Sequence, residues 1–205
     1  MSSIKRKSAT DGLFRQNIAL MSGLVTAPII VASTTAERAL VLVISFFLIS
    51  YTSILLCRFI PQKIVYSFRI LMYAMVAAVM FIPTAFLLNL WLPQTTNDVM
   101  IYIELTVVNS LLLAKTETRF YLKPYGEMAL DALIFIAGYA IAAFAVGFVR
   151  EVLAFGTLFN FRLCDPIMPA AKSPFFGFIL LGIFAAVCRA LSGRRRRKRR
   201  SERSA

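Results

Sequence analysis

The sequence predicts an all-α polytopic membrane protein: six transmembrane helices arranged as an inverted 3+3 repeat, with the first and fourth helices broken. Three observations carry that expectation. The chain is 59% hydrophobic and only 16% charged, where a soluble domain is about half apolar and a quarter charged. Continuous apolar runs of about 20 residues recur, the length a helix needs to cross a hydrocarbon core of roughly 30 Å. The basic residues also segregate by loop. With both termini cytoplasmic, nineteen of the 23 Lys and Arg residues lie inside, and four (Arg38, Arg150, Arg162 and Lys172) lie outside; such a bias sets orientation. Three spans per half is an odd number, so the second half enters the membrane from the opposite side.

In order, residues 1–15 form a polar, basic cytoplasmic segment, 16–192 a six-helix membrane domain with halves of about 16–92 and 97–192, and 193–205 a basic cytoplasmic tail. The first span, about 17–34, carries Pro28, which removes a backbone donor and kinks or breaks the helix. A short turn from Ser33 to Arg38 leads to the second span, about 39–57. The third, about 70–92, holds Pro83 and ends near Trp91, where an interfacial aromatic is expected. Pro93–Asp98 reads as a short polar loop. The fourth span, about 99–114, contains Glu104, Asn109 and Ser110. The fifth, about 128–149, is rich in small residues, which let helices approach closely. After a long loop, the sixth runs over about 175–192 and ends at Gly193.

The stretch from Val107 to Glu117 has a counterpart from Val25 to Thr34. At an offset of 83 positions Val25 matches Val108, Thr26 matches Asn109 and Ala27 matches Ser110. These read as the first helices of two related halves, whose small polar residues meet in a central seam of Thr26, Pro28, Glu104 and Asn109. Inverted repeats place sites where discontinuous helices meet at mid-membrane. Glu104 is either an ion or proton contact or a carboxylate reaching the outer interface, since a charge within a span is costly. Asp131 reads as stabilising the N-terminal turn of the fifth helix, and the adjacent Arg150 and Glu151 as an interfacial anchor at the outer surface. Gly156, Thr157, Leu158 and Phe159 read as a turn followed by apolar residues dipping back to the membrane.

Several function classes are set aside. The net charge of +13 comes largely from Arg194–Arg200, read as an anchor on anionic lipid rather than a nucleic-acid site. With no histidine, and with Cys57, Cys164 and Cys188 lacking metal-ligand spacing, neither a metal site nor a nucleophile–base pair is expected.

The run from Val149 to Phe159 resembles the "LREIIGxGTLFG" segment of the small six-helix subunits of the Rnf and Na+-translocating NADH:quinone reductase (Nqr) complexes. Ala129-Leu130-Asp131 resembles that family's "ALDG" and Ser173-Pro174-Phe175 its "DSPF"; together the likeness covers residues 12–192. A cytoplasmic N-terminus resembles the RnfE/NqrD branch. The resemblance implies a subunit of an ion-translocating electron-transport complex in the bacterial inner membrane, paired with a pseudo-symmetric RnfA/NqrE-like subunit. In that family, cysteines from the first and fourth helices hold a [2Fe-2S] cluster. Their positions fall on Ala27 and Ser110 here, and neither residue replaces a thiolate at such a site. The expectation is therefore the family fold without its own cluster ligands. A transporter or substrate-binding component on the same scaffold, sensitive at Glu104, is the alternative, and an assembly scaffold a third reading.

Overall fold

A computed structural model describes residues 26–61, 63–107, 116–117, 124–159, 161–162 and 165–204, with Thr26 and 191–204 described by backbone alone. The elements are α1 (Thr26–Ala32), α2 (Ala36–Cys57), α3 (Tyr66–Trp91), α4 (Pro93–Leu105), α5 (Tyr125–Phe155), a two-stranded hairpin of β1 (Thr157–Leu158) and β2 (Phe161–Arg162), a 3-10 turn (Pro169–Lys172) and α6 (Pro174–Ser204). Among the described residues, α2, α3 and α5 are long and apolar enough to cross a membrane, and Pro174–Ala190 of α6 is a shorter apolar helix. This is a multi-pass helical membrane protein.

Local chemistry explains several boundaries that differ from the expected ones. Pro93–Asp98 is not a loop. Pro93 takes a first-turn position of α4, where its missing N–H is no loss. The Thr96 hydroxyl donates to the Leu88 carbonyl at 3.1 Å, splicing the new helix onto the end of α3. The fifth helix is longer than expected because Pro124 stands at its N-cap and Gly156, at φ 64°, closes it in the left-handed region. Glu127 therefore holds the first turn of α5. Asp131 lies in the second, beyond the reach of the helix-end field. The last helix does not stop at Gly193 but continues to Ser204. Asn109, Ser110 and the rest of 108–115 lie outside the described residues.

The core is built where α2 packs on α5. Phe46 stacks on Tyr139 with ring centroids 4.0 Å apart. A Cβ on Gly147 would stand 2.8 Å from the Ala39 Cβ, so glycine is what permits the close crossing. The Tyr139 hydroxyl is buried with no partner among the described residues. An unpaired buried hydroxyl is costly. Tyr139→Phe is therefore expected to leave the melting temperature unchanged or raise it, whereas Tyr139→Ala, which forfeits the stack, lowers it. A clear fall for the phenylalanine variant would contradict this account.

α3 is peripheral. Tyr73, Ala77, Thr84 and Leu88 face inward, while Phe68, Leu71, Met75, Val79, Ile82 and Phe86 are exposed at the three- and four-residue spacing of one helix face. In lipid that face needs no protein cover. Pro83 sits inside this helix, and Thr84 beside it donates its hydroxyl to the Met80 carbonyl at 2.8 Å.

The loops sort to two ends. Arg38 pairs with Asp98 at 2.6 Å, the Ala36 amide donates to Glu151, and Arg150 donates to the Lys172 carbonyl. The segments 33–38, 93–98 and 150–172, those that the charge bias places outside, therefore meet at one end. At the other end Arg69 pairs with Glu117, which also accepts from the Tyr73 hydroxyl at 2.9 Å.

Candidate functional site

The turn between α1 and α2 organises the end of the bundle where Arg38, Asp98 and Glu151 meet. α1 stops at Ala32 and α2 starts at Ala36. Where the chain turns from one helix into the next, the last carbonyls of the first and the first amides of the second lack intrahelical partners. Thr35 meets part of the demand as the N-cap of α2, its hydroxyl accepting from the Arg38 amide at 3.3 Å. The rest comes from two adjacent residues of α5.

Arg150 is fully buried. Its Nη1 donates to the Ile30 and Ser33 carbonyls at 2.6 and 3.2 Å. Its Nε donates to Ala171 at 3.0 Å, and its Nη2 to Lys172 at 3.0 Å and Ser173 at 3.3 Å. Five carbonyls thus take the five N–H groups of the guanidinium, the full donor count of that side chain. Two of these acceptors, Ile30 and Ser33, belong to the end of α1 and the break after it, where the helix dipole is negative and favours a cation.

Glu151 does the opposite job on the other side of the break. Its Oε2 accepts from the Ala36 amide at 2.6 Å, at the positive end of α2. Its Oε1 accepts from the Thr157 hydroxyl at 3.5 Å, which ties in the hairpin after Gly156. Neighbours on a helix diverge by about 100°, so one residue pair can reach both sides of a three-residue gap. Two glycines make room. A Cβ on Gly177 of α6 would fall 2.5 Å from the Ile30 carbonyl oxygen and 3.3 Å from the Arg150 Nη1, and one on Gly147 would fall 3.1 Å from the Thr35 oxygen.

Arg150 and Glu151 are therefore not a surface anchor. They form a buried clasp joining α1, α2, α5 and α6. Gly156 closes α5 as expected, Thr157 and Leu158 pair with Arg162 and Phe161 in a hairpin, and Phe159 is exposed at φ 48°. Of the expected seam, Pro28 is buried while Ala27 is exposed, and Asn109 and Ser110 fall outside the described residues. Glu104 does not line an interior seam. It is exposed on α4 between the exposed Ile101 and Leu105, opposite the buried face of Thr96, Val99 and Ile103. Sequence reasoning missed the Arg69–Glu117–Tyr73 cluster, for which only the lone carboxylate after an apolar run gave a signal. It also missed the role of Gly177.

Among the described residues, no cysteine lies at the turn between α1 and α2. Ala27 offers only a methyl group, where iron–sulfur clusters need thiolates. Cys57 ends α2 and Cys188 lies toward the far end of the apolar part of α6, both away from the break. Among the described residues no group of three or more His, Cys, Asp or Glu could hold a metal. What the site does chemically is hold helix ends, with a cation, a carboxylate and backbone groups.

A polytopic helical bundle whose first two described helices are joined through the buried Arg150 and Glu151 is an integral membrane component. The chain belongs to the family described as Rnf-Nqr subunit, membrane protein, whose model matches residues 6–185. It is 31% identical over 164 residues to the E-type subunit of the ion-translocating oxidoreductase complex of Yersinia pseudotuberculosis serotype O:3 (strain YPIII), covering 76% of this chain and 66% of that one. It is 32% identical over 159 residues to the corresponding protein of Yersinia pestis (strain Pestoides F), covering 73% and 64%. The match to that of Edwardsiella ictaluri (strain 93-146) is 31% over 154 residues, covering 73% and 64%. The matches thus span just under two thirds of the length of these relatives.

Proposed function

We propose that the chain is a membrane subunit of an Rnf/Nqr-type ion-translocating electron-transport complex, working without iron–sulfur ligands of its own. The observation that carries this reading is the family match, which runs through the whole clasp from Arg150 to Phe159. The names of the relatives support it. In this reading the protein sits in the inner membrane with both termini cytoplasmic, as six spans in an inverted repeat. The contact between α1 and α4, the leading helices of the two halves, is what that repeat requires.

The partner subunit of this reading is pseudo-symmetric and covers α4. A carboxylate in a span is costly when it faces lipid, and Glu104 lies on an otherwise apolar exposed face. A polar group of the partner meeting it removes that cost. Glu104→Gln is then expected to leave the isolated chain equally stable. It reduces recovery of the partner about tenfold, as loss of a buried charged hydrogen bond would. Undiminished recovery would remove this interface.

The test of the function is genetic and biochemical. Native purification is expected to bring down further membrane subunits, and deletion to abolish NADH- or ferredoxin-linked electron transfer in membranes. A stable partner-free protein, with that activity intact in the deletion strain, would overturn the reading.

A further inference from the structure

The most strongly charged patch lies away from the clasp, at the far end of α6. Its apolar run continues past Ala190 to Gly193, 20 residues from Pro174, which at 1.5 Å per residue spans about 30 Å, the thickness of a hydrocarbon core. The helix does not end there. Its backbone continues to Ser204, so Arg194–Arg200, seven consecutive basic residues, leave the bilayer on an unbroken helix with only Glu202 opposing them.

The geometry also fixes which end this is. Gly177 packs on Ile30 beside Arg150, at the end of the bundle where α2 begins. The basic segment therefore emerges at the opposite end, where α2 finishes at Cys57 and Arg58 and Lys63 follow. Because this run matches the core in length, Arg194 and the basic residues after it begin at the depth of the lipid phosphates. Arginine binds phosphate oxygens with two parallel hydrogen bonds.

Like charges three and four residues apart destabilise a helix. In Arg194–Arg200 such pairs occur on every face. A helix of this composition persists where anions are supplied to it. We propose that residues 191–204 dock on anionic phospholipid headgroups of the leaflet at that end, and that their helical state is coupled to this contact. The inference is independent of the proposed function. A membrane is favoured over nucleic acid as the polyanion because the preceding span already holds the segment at a phosphate-dense surface.

Hydrogen exchange on the full chain in lipid nanodiscs tests it. Amides of 191–204 are expected to exchange about tenfold or more slowly in discs containing phosphatidylglycerol than in phosphatidylcholine discs. Replacing Arg194, Arg195, Arg196 and Arg197 by Gln is expected to remove the difference. Equal exchange in the two discs overturns the proposal. So does protection in phosphatidylcholine discs by inorganic phosphate, or protection that appears only when RNA is added.

Discussion

Replacing Arg150 with methionine is expected to cost about 3–5 kcal/mol of stability, since several buried carbonyls lose a charged donor at about 1–3 kcal/mol each. The variant leaves the carbonyls of Ile30, Ser33, Ala171, Lys172 and Ser173 without the donors that now reach them. For a chain of this size that loss corresponds to a melting temperature lower by roughly 6–20 °C. Lysine does not rescue it, because three N–H groups on a point charge cannot serve acceptors spread around a planar fork. Glu151→Gln is milder, since an amide oxygen can still accept from the Ala36 amide. Thermal unfolding of the purified variants in one detergent decides the matter. An Arg150→Met protein melting alongside the parent would mean that water or lipid serves those carbonyls instead.

The second large effect is expected at Gly177. A methyl group there meets the Ile30 oxygen at 2.5 Å, a backbone atom that moves only if α1 moves. Overpacking of this kind costs about 1–3 kcal/mol. Because the displaced carbonyl is also an acceptor for Arg150, the losses from Gly177→Ala and Arg150→Met should overlap rather than add. Gly147→Ala, which meets Ala39 at 2.8 Å, should also destabilise. Gly126→Ala and Gly182→Ala serve as controls. Neither added Cβ has anything within 4 Å, and alanine is favoured over glycine in a helix by about 1 kcal/mol. Losses of equal size at all four glycines would refute the close-approach argument.

Much of the helical framework could be read from the chain because membrane spans are governed by one coarse quantity, apolar length. The second, third and fifth spans and the grouping of loops by end follow from it together with the placement of basic residues. The differences arise where a local device overrides that pattern. Pro93 begins a helix rather than preceding one, since the polar run after it lies at the membrane surface, where hydropathy says nothing about backbone state. Arg150 and Glu151 look like an interfacial anchor because charges at the end of a span usually are. Their burial depends on a helix break 115 residues earlier in the chain at Ala36, and no local pattern encodes that distance. Position in the span leaves Glu104 either at the seam or reaching the outer interface, because the side of α4 it occupies depends on how α4 rotates against its neighbours. Gly177 is invisible in the sequence because a glycine in an apolar span matters only through what approaches it.

The acceptors around Arg150 come from residues 30–33 and 171–173, almost the two extremes of the membrane domain. During synthesis the guanidinium can therefore fill all its donors only after residues 171–173 have left the ribosome. A nascent chain halted before residue 171 would present an arginine with three idle donors at the membrane surface, a feature by which cellular quality control could distinguish an unfinished product from a completed one.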